Sequence, residues 1–182
     1  EVRSYKIRGA YNKMSTLSAD EKKRGVVCAS AGNHAQGVAY CCSNLKIQGV
    51  IFMPVVTPNQ KIEKVKKFGE NFVEIKLTGN TFDDASLASR EFCKETGGVY
   101  VHPFNDEMII AGQGTIGKEI YDGLDNRIDM VITGIGGGGL ISGVGTYLKS
   151  QNSKIDVIGC ESLGAAGMDV SLKAGHVVSL EE

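Results

Sequence analysis

DMVITGIGGGGLISGVG, residues 129–145, is the stretch on which the fold turns. A β-branched run ends in Gly136, Gly137, Gly138 and Gly139, and small and apolar residues then follow at helical spacing. Glycine loses more backbone entropy on folding than any other residue, so a run of four needs a reason. A strand that enters a helix through bare main chain offers amide groups and the positive end of a helix dipole to an anion. Four glycines exceed what a tight packing turn needs, and a phosphate lying close against the main chain would supply the reason.

The same alternation runs through the chain. β-branched runs at 25–30, 49–54, 71–77, 98–103, 129–135 and 154–160 predict strands. Apolar residues at helical spacing predict helices over 33–45, 59–69, 81–97, 107–124 and 140–152, with Gly69, Gly97 and Gly123 at helix ends. Strand and helix in turn, with short connections, indicate an α/β fold with a parallel sheet. Breaks in the pattern fall near residue 25 and at HPFND, 102–106.

Bulk properties narrow the function. The 182 residues carry a formal charge of −1 and no basic stripe, which argues against a nucleic-acid groove. No run approaches the length of a membrane span. Five cysteines (28, 41, 42, 93 and 160) show no metal spacing and read as reduced, buried thiols of a cytoplasmic protein. The abrupt ends, EVRSYKIRG and HVVSLEE, give the expectation of an incomplete catalytic domain.

Two phosphate ligands fit the glycine run. GIGGGG, 134–139, satisfies the G-x-G-x-x-G dinucleotide pattern, and Glu161 stands where a ribose-binding acid belongs. An NAD-binding domain and another phosphate site are both open on this motif. A second strand-to-helix turn, GVVCASAGNHAQGVAY at 25–40, and SYKIRG at 4–9 are not called for by a dinucleotide. Lys6 between Tyr5 and Ile7 is a candidate for a desolvated, nucleophilic amine.

SYKIRGAYNKM, ASAGNHAQGVAY, AGQGTIG and GGGGLISGV together resemble the threonine dehydratases (threonine deaminases, threonine ammonia-lyases). These are pyridoxal-phosphate enzymes of fold type II, related to serine racemase, and the resemblance continues to GAAGMDVSLKAGHVVSLEE. It implies a two-lobe, tryptophan synthase β-like sandwich. Residues 25–103 would form the small lobe, and 1–24 with 104–182 part of the large one, around a pyridoxal 5'-phosphate. Lys6 matches the lysine that forms the internal Schiff base and moves the α-proton. Gly136, Gly137, Gly138 and Gly139 match the phosphate loop, and Asn33 matches the partner of the pyridine 3′-oxygen. Ser30, Ala31, Gly32, Asn33 and His34 fall on the loop that takes the substrate carboxylate. The implied activity is dehydration and deamination of L-threonine, with side activity on L-serine, in amino-acid metabolism such as isoleucine biosynthesis. The full-length form is expected to be a homo-oligomer.

Departures from the pattern are informative. Tyr5 replaces the usual phenylalanine beside the cofactor. Ala31 stands where racemases carry a second serine, which favours elimination over racemisation, and HPF at 102–104 also resembles dehydratases. No metal is expected. Glu161 and the Ala165 carbonyl are compatible with the cation site of some relatives, but Gly167 replaces its further carboxylate. Glu161 has a simpler role open to it, as a strand-end acid capping a neighbouring helix. The serine or cysteine that contacts the pyridine nitrogen in the family has no counterpart here.

Overall fold

A computed structural model describes residues 2–178. The chain divides between Pro103 and Phe104 into two compact units.

In the first unit, α1 (Lys6–Ser15) and α2 (Ala19–Arg24) precede β1 (Val26–Ala29). There follow α3 (Asn33–Leu45), β2 (Gly49–Met53), α4 (Asn59–Gly69), β3 (Val73–Leu77), α5 (Phe82–Thr96) and β4 (Val99–Tyr100). The sheet is parallel throughout, in the order β3-β2-β1-β4. β1 is buried at all four positions because neighbours flank both its edges and helices cover both its faces. Val27, Ala29 and Phe52 pack under α5 with Ala85. On the opposite face Val26 lies near Cys42 of α3. The chain runs from β1 outward to β3, then returns to pair β4 with the other edge of β1. The strand order therefore reverses between β1 and β4, and open α/β sheets bind ligands outside the carboxyl ends at such a point.

The second unit holds α6 (Glu107–Gly123), β5 (Met130–Gly134), α7 (Gly139–Gln151), β6 (Asp156–Cys160) and α8 (Gly167–Ala174). β5 and β6 pair in parallel. Val144, Leu148 and Ile155 form the buried core with Val131 and Leu140 around them. The other sheet face carries Met130, Ile132 and Ile158, all exposed. α6 and α7 meet main chain to main chain. A Cβ on Gly117 would lie 3.0 Å from the Val144 carbonyl oxygen, and one on Gly114 3.1 Å from that of Gly143. AGQGTIG is thus a packing motif.

All six expected strands and five expected helices are present among the described residues. α1, α2 and α8 were not anticipated; they have ten, six and eight residues, shorter than the five expected helices. Gly97 ends α5 in the left-handed conformation, as expected. Gly69 does not do so for α4: its φ is −83°, and Glu70 takes the left-handed turn at φ 51°. Gly69 is small because Val73 packs against it. Gly123 is the last residue of α6, and Leu124 follows it as the cap. Residues 179–182, the end of the family-like stretch, lie outside the described residues.

Candidate active site

The ASAGNH turn leaves β1 at its carboxyl end, beside the strand-order reversal. Ser30 Oγ accepts from the Gly32 amide at 3.2 Å, which tightens the turn. Gly32 then caps α3 without a side-chain hydrogen bond. In α2, α5 and α6, by contrast, Ser18, Thr81 and Asp106 satisfy first-turn amides. The first amides of α3 have no acceptor within the helix and, with the dipole behind them, suit a carboxylate. Ala31 and Gly32 are half-buried and Asn33 is exposed.

His34 differs from its neighbours. Its ring is buried, 3% exposed, and Nε2 donates to the Val101 carbonyl at 2.9 Å. A carbonyl only accepts, so Nε2 carries the proton of a neutral imidazole. The bond ties the turn after β1 to the chain just after β4, across the reversal. Nε2 is thereby committed to the main chain. Burial pushes the His34 pKa down to about 4, with the Lys6 and His102 charges adding and the Val101 bond opposing.

That shift has a consequence for acid stability. The unfolded histidine takes up its proton near 6.5 and the folded one near 4. Stability is therefore complete above the first value and declines as pH falls through the window between them. Between about pH 7 and about pH 5 the loss is about 2 kcal/mol. Urea unfolding at the two pH values should show it. His34→Gln keeps a donor for Val101 without titrating, and its pH dependence should be weaker by about that amount.

Lys6 opens α1 in the same unit. A Cβ on Gly37 of α3 would lie 3.2 Å from the Ile7 main chain, so this mid-helix glycine lets the start of α1 approach α3. The Lys6 ammonium donates to the Pro103 carbonyl at 2.6 Å, two residues beyond the His34 acceptor. The side chain is half-buried, and burial lowers its pKa. The ring of Tyr5 lies 5.6 Å from the amine, and Tyr5 keeps 37% of its surface exposed. The structure thus brings together Tyr5, Lys6 and residues 30–34. A half-buried amine of lowered pKa sits beside a helix start that no side chain caps.

The glycine loop of the second unit follows β5. Gly138 has φ 83°, a left-handed conformation that disfavours a side chain, and caps α7 without a side-chain bond. A Cβ on Gly137 would collide with the Phe104 ring. One on Gly139 would stand 2.9 Å from the Phe104 carbonyl oxygen, and one on Gly138 3.0 Å from Met168 Cε. At Gly136 a Cβ would meet nothing within 4 Å. Three of the four glycines therefore have packing reasons, and Gly136 alone among the four has none. Beside Gly136 there is open space next to bare main chain, as a phosphate would require.

Glu161 directly follows β6. Its Oε1 accepts from the Met168 amide at 3.0 Å and its Oε2 from the Asp169 amide at 2.8 Å. Both oxygens thus cap α8, the simpler of the roles open to it. Ala165 lies in a 3₁₀ turn, its amide bonded to the Ser162 carbonyl. No group of three or more His, Cys, Asp or Glu suited to a metal occurs among the described residues.

Sequence reading missed Gly37, Val101, Pro103, Phe104 and Met168. A glycine inside a helical pattern was the available signal for Gly37. HPF, 102–104, carries the family resemblance and also the Lys6 acceptor, Pro103, and the ring against Gly137, Phe104.

The chain is 54% identical over 181 residues to the biosynthetic L-threonine dehydratase of Halalkalibacterium halodurans, covering 100% of this chain and 44% of that protein. For the Bacillus subtilis L-threonine dehydratase the identity is 51% over 181 residues, covering 100% and 43%. The chain therefore spans less than half the length of these curated relatives. Among solved structures, the processed form of threonine deaminase isoform 2 from Solanum lycopersicum matches with a TM-score of 0.94 at 46% identity, over 100% of this chain and 52% of that one. Maize serine racemase matches at 0.92 with 35% identity, over 99% and 54%. No described helix is long and apolar enough to cross a membrane. The profile of the pyridoxal-phosphate dependent enzymes covers residues 1–182, which decides against the dinucleotide alternative: the chain belongs to that family.

Proposed function

We propose that the full-length protein converts L-threonine to 2-oxobutanoate and ammonia, with side activity on L-serine. The observation that carries this is Lys6, a half-buried amine of lowered pKa anchored beside the uncapped start of α3. The choice of threonine rests on the curated relatives, which bear that name at 45% to 54% identity.

The residues present fit pyridoxal phosphate: bare main chain with open space at Gly136 suits its phosphate, and the Lys6 amine suits covalent attachment. When bound, the group supplies the electron sink for the α-carbon. The amides of residues 136–139 would hold its phosphate, Asn33 its ring oxygen, and the Tyr5 ring would pack against it. The turn from Ser30 to His34 would orient the substrate carboxylate on main-chain amides. Lys6 Nζ would take the Cα proton, and its lowered pKa raises the neutral fraction that can do so. The β-hydroxyl leaves as water, and a water returns when ammonia is released, so the net products are the oxoacid and ammonia.

The alternative activity is that of a serine racemase, and Ala31 disfavours it because a methyl group cannot deliver a proton to the opposite face. A cytoplasmic setting, supported by five free thiols, belongs to the same proposal. So do a homo-oligomeric full-length form and the lobe assignment of 25–103 against 1–24 with 104–182, both supported by the family resemblance.

Full-length protein purified with its cofactor should be yellow and lose that band on borohydride reduction. It should release oxoacid from L-threonine faster than from L-serine, by the 10- to 200-fold, roughly, that one methyl group allows. D-serine as the main product, or a colourless protein that binds NADH, would overturn the proposal.

A further inference from the structure

The glycine loop is braced from outside itself. Phe104 lies against Gly137 and Gly139, and Met168 against Gly138. Met168 is the second residue of α8, whose own cap residue, Ala166, makes no side-chain bond. Glu161 supplies what the cap lacks: its two oxygens take the amides of Met168 and Asp169. A carboxylate at a helix start also meets the positive end of the dipole. Loop and clamp spring from one place, since the Ile135 amide donates to the carbonyl of Cys160 at 2.9 Å, next to Glu161.

We propose that Glu161 is a positioning residue for the phosphate loop. Its carboxylate fixes the first turn of α8, α8 holds Met168 against Gly138, and Met168 keeps the amides of the loop aimed at one anion. Glu161 acts only through Met168, at the end of a strand, and touches no ligand. The proposal rests on the phosphate-holding role assigned above to residues 136–139.

The test uses full-length apoenzyme titrated with pyridoxal phosphate and, separately, with pyridoxal, which lacks the phosphate. In the wild type, pyridoxal phosphate should bind more tightly; equal affinities would sink the phosphate role itself, whatever Glu161 does. Glu161→Gln replaces one acceptor oxygen with a donor and removes the charge. It should weaken pyridoxal phosphate about tenfold and leave pyridoxal unchanged. Met168→Ala should do the same, and the double variant should be no worse than the weaker-binding single one, because both interrupt one chain of contacts. A wild-type preference for the phosphate form that survives intact in Glu161→Gln overturns the brace, as does additivity of the two changes. Loss of affinity for both ligands alike would show a merely structural role and overturn it too. If Glu161→Gln does not fold, Met168→Ala, which leaves both Glu161 bonds in place, decides alone.

Discussion

Lys6→Ala in the full-length enzyme is expected to lower oxoacid formation from L-threonine by at least about a thousandfold, with the fold intact. The substitution removes the amine that the structure places, half-buried and lowered in pKa, next to an uncapped helix start. General-base transfer alone accounts for roughly a hundred- to ten-thousandfold, and loss of the covalent link to the cofactor adds to it. Stability should change little, because the side chain is half-buried and its bond to Pro103 is made to a main-chain carbonyl. Lys6→Arg sharpens the test. Guanidinium can still donate to Pro103 but stays protonated, so the variant should fold normally and remain as inactive as the alanine one. Oxoacid release, the yellow band and thermal unfolding, measured on both variants, check this. Substantial turnover by either would remove Lys6 from its role.

Gly137→Ala should be the most damaging change in the glycine loop, and Gly136→Ala should separate binding from folding. At Gly137 the added methyl group overlaps the Phe104 ring, so ring or loop must move. Overpacking of this kind costs about 1–3 kcal/mol, and a displaced loop should also lose the cofactor. At Gly136 the methyl group meets no protein atom within 4 Å, so stability should be unchanged. It would stand instead in the space assigned to the phosphate, and affinity for pyridoxal phosphate should fall. Thermal unfolding of the apoprotein and cofactor titration separate the two effects. Phe104→Leu combined with Gly137→Ala should recover part of the lost stability, since a smaller, flexible side chain gives way more readily. A stable Gly137→Ala protein with full cofactor affinity would show that the Phe104 contact does not hold the loop.

Much of this site could be read in one dimension. The two strand-to-helix turns were visible as β-branched runs ending at Ser30 and Gly134, and Lys6 as a lysine among apolar neighbours. Harder to see was why each residue is there. His34 on its own would be taken for a surface histidine at a helix start; the structure buries it because an acceptor 67 residues away, the Val101 carbonyl, lies beside it. Glu161 offered three roles at one spacing, ribose, cation or cap, and only the positions of the Met168 and Asp169 amides chose among them.

Local periodicity and composition by themselves determined the six strands, the five longer helices, the parallel α/β class and the two strand-to-helix turns that offer bare amides. Those features depend on neighbours a few residues apart, whose side chains repeat every two or every 3.6 positions. Tertiary structure alone decided which glycine is left open and which is packed against. Gly136, Gly137, Gly138 and Gly139 are chemically identical. Phe104 and Met168, about 30 residues away on either side, fill the space beside three of them and leave the fourth open. A sequence names its glycines; what comes to lie against each is settled when distant segments pack.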